Sequence, residues 1–240
     1  MLETHVAART TELTATVAEL ESFSYSISHD LRAPLRAISG YAAMLREDHA
    51  SKLGSDGSNL VLRIEANVGR MAGLIDGLLA FSRLGRLRPD ASSVDTLEMV
   101  NSVVLDLQGE AEARKARFAV AALPAVRGDA TMLRQVWVNL LSNAIKFSSR
   151  NPEPRIGIDA ELRADEVVFA VRDNGVGFDQ KYANKLFEVF NRLHAADEFP
   201  GVGVGLAIVR RIVVRHGGRV WAESKDGEGA TFFFSLPLGQ

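Results

Sequence analysis

Cysteine is absent from the 240 residues, which removes disulfides, thiolate zinc sites and cysteine nucleophiles from consideration and fits a reducing compartment. No unbroken apolar run is long enough to cross a bilayer, and nothing resembles a secretory signal. An excess of positive charge is also missing. The formal net charge is −2, so the chain has no general attraction for nucleic acid or anionic lipid, and any polyanion it binds must be held by local groups. Internal repeats and low-complexity tracts are lacking. What is present, 47% apolar and 24% charged residues, is the composition of a globular protein with a real core, long enough for one large or two modest domains.

The first part of the chain reads as helix. Leu13, Val17, Leu20, Ser24, Ile27 and Leu31 alternate steps of four and three, the spacing of a coiled-coil seam. In that register His29 falls between two seam positions, on the outer face. An exposed neutral imidazole is a nucleophile toward phosphorus, and the adjacent Asp30 is placed to accept its ring proton. A solvated surface histidine fits the local pattern as well. The helical pattern runs from about Thr10 to Arg46 with Pro34 inside it, and Asp48 to Ser58 reads as a loop. A second helix carries Leu60, Ile64, Val68, Met71, Ile75 and Leu78 on one stripe, ending near Phe81. A hairpin cannot cover two such stripes alone, so two copies pairing into a four-helix bundle, a homodimer, is the expectation. Because the chain begins inside a helical pattern, it is expected to be the output end of a longer protein with an upstream sensor domain.

From about Val94 onward helix and strand signals alternate. Helices are expected at Thr96 to Ala113, Ala130 to Ser148 and Leu206 to His216, the last stopped by Gly217 and Gly218, with His216 near its negative end. Strands are expected at Phe118 to Leu123, Ile156 to Leu162 and Val167 to Arg172, and as a closing hairpin of Arg219 to Glu223 with Ala230 to Pro237. This mixture implies a sheet covered on one face by helices.

At 100° per residue Asn139, Asn143 and Lys146 fall within about 60° of one another, while Leu133, Trp137, Leu140, Leu141 and Ile145 fill the other side of their helix. Two amide oxygens and an ammonium suit a magnesium ion and a phosphate chain, although the wet face of an ordinary amphipathic helix has the same pattern. Asp173-Asn-Gly-Val-Gly-Phe-Asp179 follows a strand. Gly175 and Gly177 permit close backbone approach, and the Asp173 carboxylate suits an exocyclic amine such as that of adenine; a plain Asx turn is the alternative. A further glycine cluster, Gly201-Val-Gly-Val-Gly205, precedes a helix N-terminus. It lacks the Gly-Lys-Ser/Thr of a P-loop, and Leu206 stands where the dinucleotide fingerprint has its last glycine.

Taken in order, these residues resemble the catalytic core of the sensor histidine kinases of two-component signalling, from about Glu21 to Leu238. His-Asp-Leu-Arg-Ala-Pro-Leu at 29–35 is similar to the family's phosphoacceptor box, and Asn-Leu-Leu-Ser-Asn-Ala-Ile-Lys-Phe at 139–147 to its asparagine box. Asp-Asn-Gly-Val-Gly-Phe at 173–178 resembles the first glycine box, Lys185-Leu-Phe-Glu-Val-Phe190 with Arg192 the phenylalanine box, and Gly203-Val-Gly-Leu-Ala-Ile208 the second glycine box. The resemblance implies a coiled-coil signalling linker at 1–21, a dimerisation and histidine phosphoacceptor hairpin at 22–88, and a catalytic ATP-binding domain at 89–240. That last domain would be an α/β sandwich of the GHKL (Bergerat) type shared with gyrase, Hsp90 and MutL, with a lid from about Asp179 to Val202. It further implies autophosphorylation of His29 by ATP with Asp30 as proton acceptor. Magnesium would be held by Asn143 with Asn139, phosphates by Lys146 and Arg192, and adenine by Asp173. Gly175, Gly177, Gly203, Gly205 and Leu206 would shape the pocket. The phosphoryl group would pass to an aspartate of a response-regulator receiver, in the cytoplasm, without nucleic acid as partner.

Two positions depart from the family pattern. Four residues after the histidine, where many members carry a threonine or asparagine that orients a hydrolytic water, stands Ala33, and Val202 replaces a threonine of the second glycine box. His5, His49 and His194 read as solvated, and Trp137 and Trp221 as core.

Overall fold

A computed structural model describes residues 30–83, 90–194, 198–199, 201–225 and 227–238. The expected coiled-coil seam, the linker at 1–21 and His29 lie outside these residues. The chain divides into two compact units, residues 1–87 and 88–240.

In the first unit, helix α1 (residues 30–48) and helix α2 (Ala50–Arg83) form a hairpin. Polar pairs fix its antiparallel sense: Arg32 Nε donates to Asp76 at 3.2 Å and Arg46 to Glu65 at 2.7 Å. Leu35 packs with Val68, Ile75 and Leu79 between the helices. The expected loop at Asp48–Ser58 is mostly helical instead. Helical residues resume directly after His49, and the chain direction is reset at Gly54, whose φ of 61° is a conformation glycine adopts without steric cost. The apolar stripe of α2 is shared between two surfaces. Val68 and Ile75 turn inward, whereas Leu60, Ile64 and Met71 stay exposed, as do Leu31, Ile38 and Leu45 at seven-residue intervals on α1.

The second unit is built on a five-stranded sheet ordered β2-β4-β5-β7-β6, comprising β2 (Arg117–Val120), β4 (Arg155–Leu162), β5 (Glu166–Asp173), β6 (Val220–Ser224) and β7 (Ala230–Pro237). Strands β2 and β4 run parallel and the other pairs antiparallel. Helices α3 (Thr96–Asp106), α4 (Gln108–Ala113), α5 (Ala130–Ser148) and α6 (Gly205–Arg215) complete it, with a 3-10 helix at Gln180–Phe187. The expected single helix Thr96–Ala113 is interrupted at Leu107. Two three-residue strands, β1 (Ser92–Val94) and β3 (Val126–Gly128), pair separately and are too short to show an alternating pattern in sequence.

Period-two alternation decides what each face of the sheet meets. Phe169 of β5 lies opposite Phe234 of β7, and both rings meet the edge of the buried Trp137 of α5, with centroids 5.5 and 5.1 Å away. The opposite face carries Trp221 stacked on Phe233 at 5.0 Å with the Arg219 guanidinium 4.4 Å from its ring. Trp221 is therefore half-buried on the outer face rather than in the core. Among the described residues no helix is long and apolar enough to cross a membrane.

Candidate active site

Helix α5 starts where Asp129 caps it, the carboxylate accepting from Met132 N at 3.0 Å. Its apolar side, with Leu133, Val136, Trp137, Leu140, Leu141 and Ile145, is buried on the sheet, which turns Asn139, Asn143 and Lys146 away from the core. Asn139 donates through Nδ2 to Gln135 O at 2.8 Å, and its Oδ1 lies toward Gly205, where an added Cβ would stand 2.8 Å away. Lys146 Nζ donates to Asn143 Oδ1 at 3.0 Å and stands 4.2 Å from the Phe147 ring centroid. Burial, with the Arg192 guanidinium nearby, lowers the Lys146 ammonium to about 8.

Asp173, at the end of β5, shares the helix-facing side with Val171 and Phe169, so the sheet register aims its carboxylate toward α5. It is 8% exposed. Gly175 N donates to Oδ1 at 2.9 Å and the Ala230 amide also donates to the carboxylate, yet desolvation prevails and pushes the group up to about 6. The loop that follows is pressed against the C-terminal end of α5. Val176 N donates to Phe147 O at 3.2 Å, and a Cβ on Gly175 would stand 2.4 Å from that same oxygen, so only glycine fits. Gly177 is as tightly enclosed, with Lys225 O 2.3 Å from its would-be Cβ.

The phenylalanine-box segment reaches the second glycine cluster through Phe190 N, which donates to Gly203 O at 2.9 Å from a residue with φ 64°. Arg192 donates to the carbonyls of Gly201 and Phe199, both at 2.7 Å. Gly205 opens α6 beside Asn139, followed by the half-buried Leu206. The structure thus gathers Asn139, Asn143, Lys146, Gly201 and Gly205 along one side of α5, with Asp173 and Gly175 by its end, Arg192 near Lys146, and Gly203 against Arg192 and Phe190. Asp30 stands exposed at the first described residue of α1, in the other unit.

His194 escaped the sequence reading. It is half-buried rather than solvated: Nε2 donates to Gly177 O at 3.0 Å, and the ring lies 5.5 Å from both Phe147 and Phe199. Its position between Arg192 and the glycine cluster was the available signal. Periodicity does not speak for a residue outside regular helix or strand. His49 is exposed, as expected.

Among the described residues no group of three or more His, Asp or Glu side chains stands ready for a metal ion. A divalent cation here would rely on amide oxygens, water and phosphate oxygens, a donor set that suits magnesium. Asn139 and Asn143 fit that chemistry.

Residues 128–240 match the family of histidine kinase-, DNA gyrase B- and HSP90-like ATPases, and residues 19–87 match the His kinase A (phospho-acceptor) domain. The chain belongs to the sensor histidine kinases. This histidine kinase core is 37% identical over 222 residues to the phytochrome-like protein Cph1 of Synechocystis sp., covering 92% of the chain and 30% of that relative. It is 38% identical to the methanogenesis regulatory histidine kinase FilI of Methanothrix harundinacea, over 94% of the chain and 25% of FilI. Full-length ShkA, solved in complex with AMPPNP, superposes with a TM-score of 0.67 at 28% identity, over 91% of the chain and 46% of ShkA. The kinase core thus spans 30% or less of the length of these curated relatives. Its helical hairpin followed by a GHKL-type sandwich is the histidine kinase fold, and His29 lies within the phospho-acceptor match.

Proposed function

We propose that this chain transfers the γ-phosphoryl group of ATP to His29 and then to an aspartate of a response-regulator receiver domain. The observation that carries the reading is the convergence of a desolvated anionic acceptor, Asp173, with the Asn139, Asn143 and Lys146 stripe on one helix. Asp173 accepts the adenine amine, Lys146 and Arg192 neutralise phosphate charge, and Gly175, Gly177, Gly203, Gly205 and Leu206 shape the cavity around the nucleotide. Asn143 and Asn139 hold a magnesium ion, which when bound draws charge from the phosphate oxygens.

In the first step the lone pair of a neutral His29 ring nitrogen forms a bond to the γ-phosphorus, and the bond from phosphorus to the β,γ-bridging oxygen breaks, releasing ADP. Asp30 accepts the proton from the other ring nitrogen. Phosphoryl transfer needs positioning and charge neutralisation more than covalent assistance, and a general base contributes about 10² to 10⁴ in rate. In the second step a carboxylate oxygen of the receiver attacks phosphorus and the imidazole leaves. The exposed stripes of Leu31, Ile38 and Leu45 and of Leu60, Ile64 and Met71 support a second copy of the hairpin as partner, closing a four-helix bundle. ATP as substrate and a receiver as acceptor assign the reaction to the cytoplasm.

The test is incubation of the purified chain with γ-labelled ATP, followed by acid and alkali treatment. Acid-labile, alkali-stable label on the unmodified chain and none on His29→Gln is the expected result. Acid-labile label persisting on that variant overturns the assignment of His29.

A further inference from the structure

Helices α5 and α6 run antiparallel, and named contacts fix their mutual register at both ends. At one end Gly205, the first residue of α6, lies against Asn139 of α5. At the other, His216 at the close of α6 accepts the amide hydrogen of Asp129, Asp129 N lying 3.0 Å from His216 Nε2. The distance spanned is about 15 Å along α5 and about 16 Å along α6 at 1.5 Å per residue, so the contacts close a frame of two matched sides.

The chemistry of the His216 corner is specific. Its Nδ1 donates to Ile212 O at 2.8 Å, which puts the ring proton on Nδ1 and leaves the Nε2 lone pair for the Asp129 amide. Both ring nitrogens are thereby engaged, Nδ1 by a carbonyl and Nε2 by a backbone N–H. Gly128 leaves room for this contact. A Cβ there would stand 3.0 Å from the His216 ring and 2.7 Å from the Leu133 side chain. The amide that His216 holds belongs to the residue whose carboxylate caps α5 through Met132 N and also accepts from Asp90 N at 3.2 Å. The bond therefore grips α5 at its first turn.

We infer that His216 is a positioning residue, which by accepting the Asp129 amide hydrogen fixes the slide of α6 along α5 and so holds the glycine turn Gly203–Gly205 against Asn139. Its importance for ATP rests on the nucleotide-site reading above. His216 touches neither the glycine turn nor the asparagine stripe. Its effect there is carried by α6, which does not stretch along its axis.

Two substitutions separate this role from bulk stability. His216→Gln keeps an acceptor at the Nε2 position and loses the bond to Ile212, whereas His216→Asn keeps the Ile212 bond and loses the reach to Asp129. The measurements are amide hydrogen exchange at residues 203–206 and, separately, equilibrium affinity for magnesium AMPPNP. In His216→Asn, exchange is expected to quicken about tenfold and nucleotide affinity to fall by a similar factor, with His216→Gln near the unmodified chain on both. Unchanged exchange in His216→Asn, or equal quickening in both variants, overturns the inference. Quickened exchange confined to His216→Asn with no change in nucleotide affinity upholds the clamp and instead removes the glycine turn from the nucleotide site.

Discussion

Lys146 donates to the side-chain oxygen of Asn143 across 3.0 Å, so the group assigned to phosphate and the group assigned to the metal satisfy one another. The pairing is a consequence of their three-residue spacing on α5. It keeps a half-buried ammonium hydrogen-bonded while its pKa is depressed to about 8, and on the proposed assignment Lys146 is expected to exchange an amide oxygen for a phosphate oxygen when nucleotide enters.

Asn143→Asp turns this bond into an ion pair. The new carboxylate raises the Lys146 pKa and holds the ammonium away from phosphate, while adding negative charge where a triphosphate must sit. Thermal stability is expected to hold or rise, and autophosphorylation to fall roughly a hundredfold. Calorimetric melting together with initial rates of label incorporation checks both. Phosphorylation at the unmodified rate removes Asn143 from the site.

With Asp173 assigned to the base as proposed, nucleotide preference is expected to depend on pH. Its folded pKa of about 6 lies above the ordinary 3.8, so the folded state holds a proton that the unfolded chain has already lost. Stability is expected to fall as pH rises from 4 to 6 and to level off above, by about 3 kcal/mol in all. Asp173→Asn removes that loss and is expected to melt higher than the unmodified chain at pH 7.5. On the proposed assignment the carboxylate accepts from the adenine amine above pH 6. Below it the neutral acid donates, which suits a 6-oxopurine. The ratio of ATP to ITP affinity is therefore expected to drop by up to about tenfold per pH unit below 6, and using the ratio cancels titration of the phosphates. A flat ratio from pH 7.5 to 5 contradicts the assignment of Asp173 to the base.

The exposed half of the α2 stripe predicts an obligate dimer. Met71 and Ile64 lie apart from the hairpin's own core of Leu35, Val68, Ile75 and Leu79, so Ile64→Glu with Met71→Glu leaves that core intact while placing charge on the surface to be paired. Sedimentation of the variant is expected to give monomer at micromolar concentration with its nucleotide-binding domain still folded. An unmodified chain that sediments as a folded monomer rules the bundle out.

Ala33 stands exposed on α1, four residues after His29 in the sequence. A methyl group offers no hydrogen bond to a water. A phosphorylated regulator is expected to decay at close to its intrinsic rate when unphosphorylated kinase is added, ADP having been removed, and Ala33→Thr to quicken that decay with autophosphorylation largely kept. Strong shortening of the regulator-phosphate half-life by the unmodified chain sinks this expectation.

Where a segment makes its own structure, its residues announced it. The α5 boundaries Ala130 and Ser148 are those expected from the sequence pattern, and the glycine pair expected to stop α6 does close it, with Gly218 N bonded to Val213 O. The polar stripe was legible for the same reason, since 100° per residue places Asn139, Asn143 and Lys146 together without reference to anything outside the helix.

Other features depend on partners remote in sequence. The burial that lifts Asp173 comes from the β5–β7 register and from the docking of its loop on Phe147, neither of which is local. The hairpin's division of one stripe into a buried and an exposed half depends on the angle at which α1 meets α2. His194 and Trp221 were misread because burial is a property of what packs against a residue, and the sequence placed His216 near the negative end of α6 without showing that the Asp129 amide meets its ring. What the sequence determined by itself was the local order of helices, turns and chemically matched residues, because propensity, periodicity and capping act within a few residues. The tertiary structure alone decided which of those residues lose water and which donors face which acceptors, because desolvation and hydrogen-bond geometry arise only when distant segments pack.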